Sequence, residues 1–176
     1  MNKLTKRKLI GVAIIVLGII VDFVSKRIVA TQMALGQSIP LWRDVLHITY
    51  VQNRGAAFGM MAGSRWIFIT VSSIAIVAFA FYLIYTKSNR AIWIFAISMM
   101  ASGGIGNMID RIWLGYVVDF IDFTLINFAV FNIADSLICV GAGLMILDLV
   151  LDFIETSKEL RKSKEENSNA DNGPVL

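Results

Sequence analysis

Four apolar runs, each near the length of a bilayer's hydrocarbon core, dominate this chain. Spanning takes about 20 apolar residues, and the runs at 9–30, 66–86, 91–113 and 133–154 all reach that length. Backbone amides and carbonyls in lipid must bond internally, so each run is a helix. The alternating pattern of a membrane barrel is absent over most of the chain. With 57% hydrophobic and 16% charged residues, the composition also excludes an ordinary soluble domain, which runs near a quarter charged. The expected fold class is an all-α membrane protein: four transmembrane helices with a small β-containing extracytoplasmic segment. One domain covers 1–156, and the polar stretch 157–176 is expected to be a disordered cytoplasmic tail.

The basic residues orient the helices. Lys3, Lys6, Arg7 and Lys8 precede the first run, Lys87 and Arg90 sit in the short link 87–90, and Lys158, Arg161, Lys162 and Lys164 follow the fourth. The positive-inside rule puts both termini and that link in the cytoplasm, with segments 31–65 and 114–132 on the opposite side. The net charge of +3 is modest, and no nucleic-acid partner is expected. The basic start and apolar run at 3–21 imitate a signal peptide, but Asp22 and Lys26 continue the helix. Cys139 is the only cysteine and His47 the only histidine. Neither suits a disulfide or a metal-type cluster, so no metal or cofactor is expected; Cys139 is expected in the core and His47 at the surface.

Segment 31–65 holds "VLHITYV", whose β-branched and aromatic residues predict a short strand. "NRGAAFG" follows, with small residues suited to a tight turn or close backbone approach. Helix rise is about 1.5 Å per residue, which sets the depth of the polar groups. Asp22 then lies roughly 20 Å across a core of about 30 Å, and Asp110 about 28 Å across. Asp135 falls in the first turn of the returning fourth helix. So Asp22, Asn107, Asp110, Arg111, Asp119, Asn132 and Asp135 gather in one layer at the outer leaflet. Ionisable groups at the bilayer centre cost at least about 2.5 kcal/mol each and usually mark function; near the interface the cost is lower.

Structural explanations exist for most of these residues. Asp22 and Lys26 are spaced i,i+4 and can pair. Asn107 and Asp110 share a helix face, and Arg111 can clamp a carboxylate in a bidentate fork. Asn132 and Asp135 fit an N-cap and its N3 partner. Asp122 can meet water, and Asp148 and Asp152 suit solvated or packing roles. Asp119, between "VV" and "FI", has no cation near it in sequence. Two aspartates in a poorly solvated site cannot both ionise easily, so the pair titrates as a unit. The ionised member takes a proton from water while the neutral one donates to a carbonyl, as in aspartic proteases. Asp119 and Asp135 bracket the turn between helices three and four; by spacing alone Asp110 serves equally as a partner.

The motifs "VDFVSK", "VQNRGAAFG", "GGIGNMIDRIWLGYVVDFIDF" and "FNIADS", in that order on a four-helix frame, resemble those of the lipoprotein signal peptidase family, also called signal peptidase II. The resemblance covers about residues 9–154. It implies an intramembrane aspartic endopeptidase of the bacterial inner membrane that cuts prolipoproteins before a diacylglyceryl-modified cysteine. It assigns the catalytic pair to Asp119 and Asp135, and site-supporting positions to Asp22, Lys26, Asn53, Gly55, Asn107, Asp110, Arg111 and Asn132. It further implies a small sheet and a lid within 31–65, contact with membrane lipid, and inhibition by globomycin-type peptides; a monomer is the default. Departures are "DFVSK", where the family more often has Gln and Thr, Ala129 where proline is common, and a short stretch between the two aspartates. The rival readings are a small transporter or proton-relay subunit using Asp22, Asp110 and Asp135, or a non-catalytic lipid-binding protein.

Overall fold

The computed structural model describes residues 1–55, 60, 63–88 and 90–171, with side chains up to residue 160. Ala56, Ala57 and Gly59, expected to allow close backbone approach, lie outside the described residues, as does part of the expected lid. Four helices are long and apolar enough to cross a membrane: α1 (Lys3–Gln32), α2 (Arg65–Tyr85), α3 (Ala91–Trp113) and α4 (Ile133–Asp171). α1 begins before residue 9 because the Asn2 side chain caps it, accepting from the Thr5 amide at 2.8 Å. α4 does not end at 154: its backbone stays helical through Asp171. The apolar run stops near 154, but Glu, Lys, Arg and Leu beyond it are good helix formers, so the helix continues through Asp171.

α3 is the central helix and touches each of the other three. Its buried stripe includes the small residues Ala96, Ser98, Ala101, Ser102, Gly103 and Gly106. Small residues are what let membrane helices approach, since lipid is as apolar as leucine. The Ser102 hydroxyl reaches across to the Ile15 carbonyl of α1 at 3.1 Å. At the α1 N-terminal end of the bundle, Lys8 donates to the Ile84 carbonyl, and Arg90 binds Asp148 and Asp152, with the Trp93 indole also on Asp148. Those two aspartates are thus structural ties.

At the other end, β1 (Ser38–Trp42), β2 (Leu46–Asn53) and β3 (Val117–Asp122) form an antiparallel sheet in the order β1-β2-β3. The predicted strand is β2. Asp119, expected in the connection between helices three and four, sits in β3 opposite Val51. α3 hands over to β3 through Gly115, whose φ of +81° favours glycine. Tyr50, Val118 and Phe120 pack with Val29 of α1, with Ile48 against them, fixing the sheet to the bundle.

Candidate active site

One lysine organises the base of the site. Lys26 Nζ lies 2.8 Å from Asp22 Oδ2 and 3.2 Å from Asp110 Oδ2, and donates to Asn107 Oδ1 at 2.9 Å. All of these residues are buried. A buried ion pair holds only if its remaining donors and acceptors are satisfied, and here they are spent on backbone. Asp22 Oδ1 accepts from the Ala134 amide at 2.8 Å, and Asp110 Oδ2 from the Val118 amide at 3.1 Å. Ala134 and Val118 immediately precede Asp135 and Asp119. The expected Asp22–Lys26 pair therefore exists, and its network reaches the residue before each of those aspartates.

Asn132 joins the two aspartates directly. Its Nδ2 donates to Asp119 Oδ1 at 2.6 Å. Its Oδ1 accepts from the Asp135 amide at 2.9 Å, while its own amide donates to Asp135 Oδ2 at 3.2 Å. The latter two bonds are a reciprocal capping box, with Asn132 as N-cap of α4. The capping reading of this pair is thus realised, and the capping residue also bonds Asp119. Asn107 Nδ2 donates to Asp135 Oδ1 at 2.7 Å, and Asn53 Nδ2 to Asp119 Oδ2 at 2.9 Å. Asp119 is 1% exposed. Burial, opposed by the Asn53 bond and reinforced by the Asp135 charge, pushes its carboxyl from 3.8 up to about 6.

Two residues depart from expectation. Among the described residues Arg111 forms no bidentate fork on a carboxylate; its guanidinium donates to the Gly55 carbonyl at 3.1 Å and the Asn107 carbonyl at 3.5 Å, with its centre 4.8 Å from the Phe68 ring. Its neighbour Asp110 is already committed to Lys26 and Val118. Gly55 is held from both sides, its amide donating to Asn53 Oδ1 at 2.9 Å. Cys139 is not a core residue but exposed. It lies four positions after Asp135 and so on the same helix face, the signal that would have placed it. His47, half-buried, contacts the Ser38 hydroxyl at 3.1 Å, and Asp122 accepts from Thr49 Oγ1 at 2.7 Å.

Asp119 and Asp135 both face a groove of about 480 Å³. Asn53, Asn107 and Arg111 supply its polar side. Its apolar side is Val117, Phe128, Ala129, Val130 and Phe131, and it continues past Ser136 and Cys139 along α4. Phe131 stacks on Phe123 and meets Phe128 edge-on. Sequence reasoning did not identify this wall, because 123–131 has no periodic pattern to place it.

The fold and the site define an integral membrane protein whose paired carboxylates open onto an apolar groove at one end of its helix bundle. Comparison with known proteins makes this more specific. Residues 14–151 match the signal peptidase (SPase) II family. A lipoprotein signal peptidase of Brevibacillus brevis is 42% identical over 134 residues, 76% of this chain and 90% of that one. One from Bacillus subtilis is 40% identical over 141 residues, 78% and 91% of the two chains. A bacterial membrane enzyme structure obtained by the in meso method at 2.3 Å resolution superposes with a TM-score of 0.77 at 36% identity, covering 81% of this chain and 88% of that one. The chain belongs to the signal peptidase II family. It is a multi-pass bacterial membrane peptidase, and the reaction of its family is removal of signal peptides from prolipoproteins.

Proposed function

We propose that this chain removes prolipoprotein signal peptides as an aspartic endopeptidase, with Asp119 and Asp135 sharing one water and one proton. The observation that carries the reading is Asn132, which bonds both carboxyl groups and so holds them to one groove. Asp119, whose burial raises its carboxyl to about 6, is assigned the role of proton donor, and Asp135 that of base. Asp135 takes a proton from water as the oxygen attacks the scissile carbonyl, while Asp119 gives its proton to the carbonyl oxygen. On collapse, Asp119 regains a proton from the tetrahedral diol, the leaving nitrogen takes one from Asp135, and the carbon–nitrogen bond breaks. Arg111, Asn53, Gly55 and Asn107 line or brace the groove, while Asp22, Lys26 and Asp110 brace the backbone before each aspartate.

The substrate is cut before its diacylglyceryl-modified cysteine, with the active site toward the outer leaflet, both termini cytoplasmic, and the enzyme acting as a monomer among membrane lipids. Confinement to the plane of the bilayer lowers the orientation cost of binding. A transporter or proton relay gains no support. No helix carries a carboxylate between the outer cluster and Asp148, so no relay crosses the membrane depth. The test is reconstituted protein incubated with a diacylglyceryl-modified prolipopeptide and with its unmodified twin. Cleavage is expected at the single bond before the modified cysteine, unaffected by chelators and stopped by a globomycin-type peptide. Cleavage elsewhere, or loss of activity on chelation, overturns the proposal.

A further inference from the structure

The sheet carries a second polar group that the proposed reaction does not use. Ser38 Oγ lies 3.1 Å from His47 Nδ1 and 2.8 Å from Thr49 Oγ1, and Thr49 Oγ1 donates to Asp122 Oδ2 at 2.7 Å. The string therefore links an imidazole on β2 to a carboxylate at the end of β3, with His47 paired opposite Asp122 in the sheet. Two of its members are incomplete. Among the described residues Asp122 has no cation within ion-pairing reach, and Nε2 of His47 is buried with no hydrogen-bond partner. Buried polar atoms without partners are rare and call for an explanation.

The string lies beyond the residues that line the groove, farther along the same sheet. Ile48, Tyr50, Val118 and Phe120 face α1, and strand side chains alternate. His47 and Thr49 therefore point away from that cluster, and Asp122, paired opposite His47 and bonded to Thr49, lies with them, while the register shift between Ile48 and Val51 separates the string from Asn53 and Asp119. The groove holds Asp119 and Asp135 and continues past Ser136 and Cys139 on α4, and on the peptidase reading the signal peptide lies along it. On the same reading the mature part of the substrate extends the other way, over the sheet that carries Asp119. Asp122 is three residues beyond Asp119 on β3, about 10 Å at roughly 3.3 Å per residue. An extended peptide with its scissile carbonyl at the catalytic pair reaches that distance with the second residue after the lipidated cysteine.

We infer that the Ser38–His47–Thr49–Asp122 string is a specificity subsite for the second residue after the lipidated cysteine, favouring a cationic or hydrogen-bond-donating side chain and rejecting an acidic one. The inference rests on the peptidase reading. Its chemistry is that of an uncompensated carboxylate, which accepts from a donor and repels another carboxylate.

The test uses reconstituted full-length protein and three diacylglyceryl-modified prolipopeptides differing only in that residue: Lys, Ala or Asp. The readout is the Lys-to-Asp ratio of kcat/KM. A ratio of about five to ten is expected for a half-buried charge contact, falling toward one in Asp122→Asn and reduced in Thr49→Val. Asp44→Asn, which removes the same charge at the exposed hairpin turn, is expected to keep the wild-type ratio and so separates a local contact from net charge. A wild-type ratio of one, or a ratio unchanged in Asp122→Asn, overturns the subsite while leaving the peptidase intact. If wild type cuts none of the three peptides, the peptidase reading falls and the subsite falls with it.

Discussion

At Asp119 the carboxyl is 1% exposed and sits beside a second carboxyl, Asp135, that its bonding partner Asn132 also binds. Its folded-state pKa of about 6 lies above the ordinary 3.8. The folded protein therefore binds a proton more readily than the unfolded chain between those values. This protonation supports stability below about 4, and the support is lost as pH rises through about 6. The rise from 3.8 to about 6 corresponds to roughly 3 kcal/mol at most. Thermal unfolding at pH 5 and pH 7.5 is therefore expected to show a larger drop in Tm on the alkaline side for wild type than for Asp119→Asn. Equal drops would mean that Asp119 is not held in its protonated form. In the proposed mechanism the same proton is the one given to the carbonyl, so kcat/KM is expected to decline on the alkaline side. An apolar substrate that excludes water raises the corresponding limb of kcat, which reports the enzyme–substrate complex, above that of kcat/KM.

The elements matter because α3 must come close enough to α1 and α4 to bring these residues together. A Cβ on Gly103 would run into the Ala134 carbonyl, and one on Gly106 would stand 2.5 Å from Asp22 Oδ2, whereas one on Gly104 meets nothing nearer than 3.6 Å. Gly103→Ala is expected to cost about 1–3 kcal/mol from overpacking and to displace the start of α4, lowering activity and Tm together. Gly104→Ala is expected to change neither appreciably. Parallel unfolding and cleavage assays on the two variants check this, and equal behaviour would contradict the packing described. Much of this level was legible in sequence. Apolar length marked the four helices, β-branched residues marked β2, and the i,i+4 and N-cap spacings marked the Asp22–Lys26 and Asn132–Asp135 pairs. Helix ends were less legible, because caps and helix-forming polar residues carry α1 and α4 past their apolar runs. The partner of Arg111 was not legible at all: which acceptor a guanidinium meets depends on how far Lys26, on another helix, has already engaged the carboxylates.

Across the whole molecule, one end of the bundle is tied by Arg90, Asp148, Asp152 and Lys8, and the other carries the sheet, the groove and the two aspartates. Depth counted along the helices anticipated that the carboxylates share one layer. It did not anticipate that Asp119 is held in a strand, or that the aromatic segment 123–131 forms a wall of the groove, since both depend on contacts remote in sequence. The arrangement has one central requirement, that Asp119 and Asp135 work as a pair. The most direct measurement is kcat on a diacylglyceryl-modified prolipopeptide for Asp119→Asn and Asp135→Asn, each reconstituted and checked for a cooperative unfolding transition. Both folded variants are expected to lose at least about a thousandfold, since each removes one half of the acid–base exchange. Either variant turning over within tenfold of wild type would contradict the account.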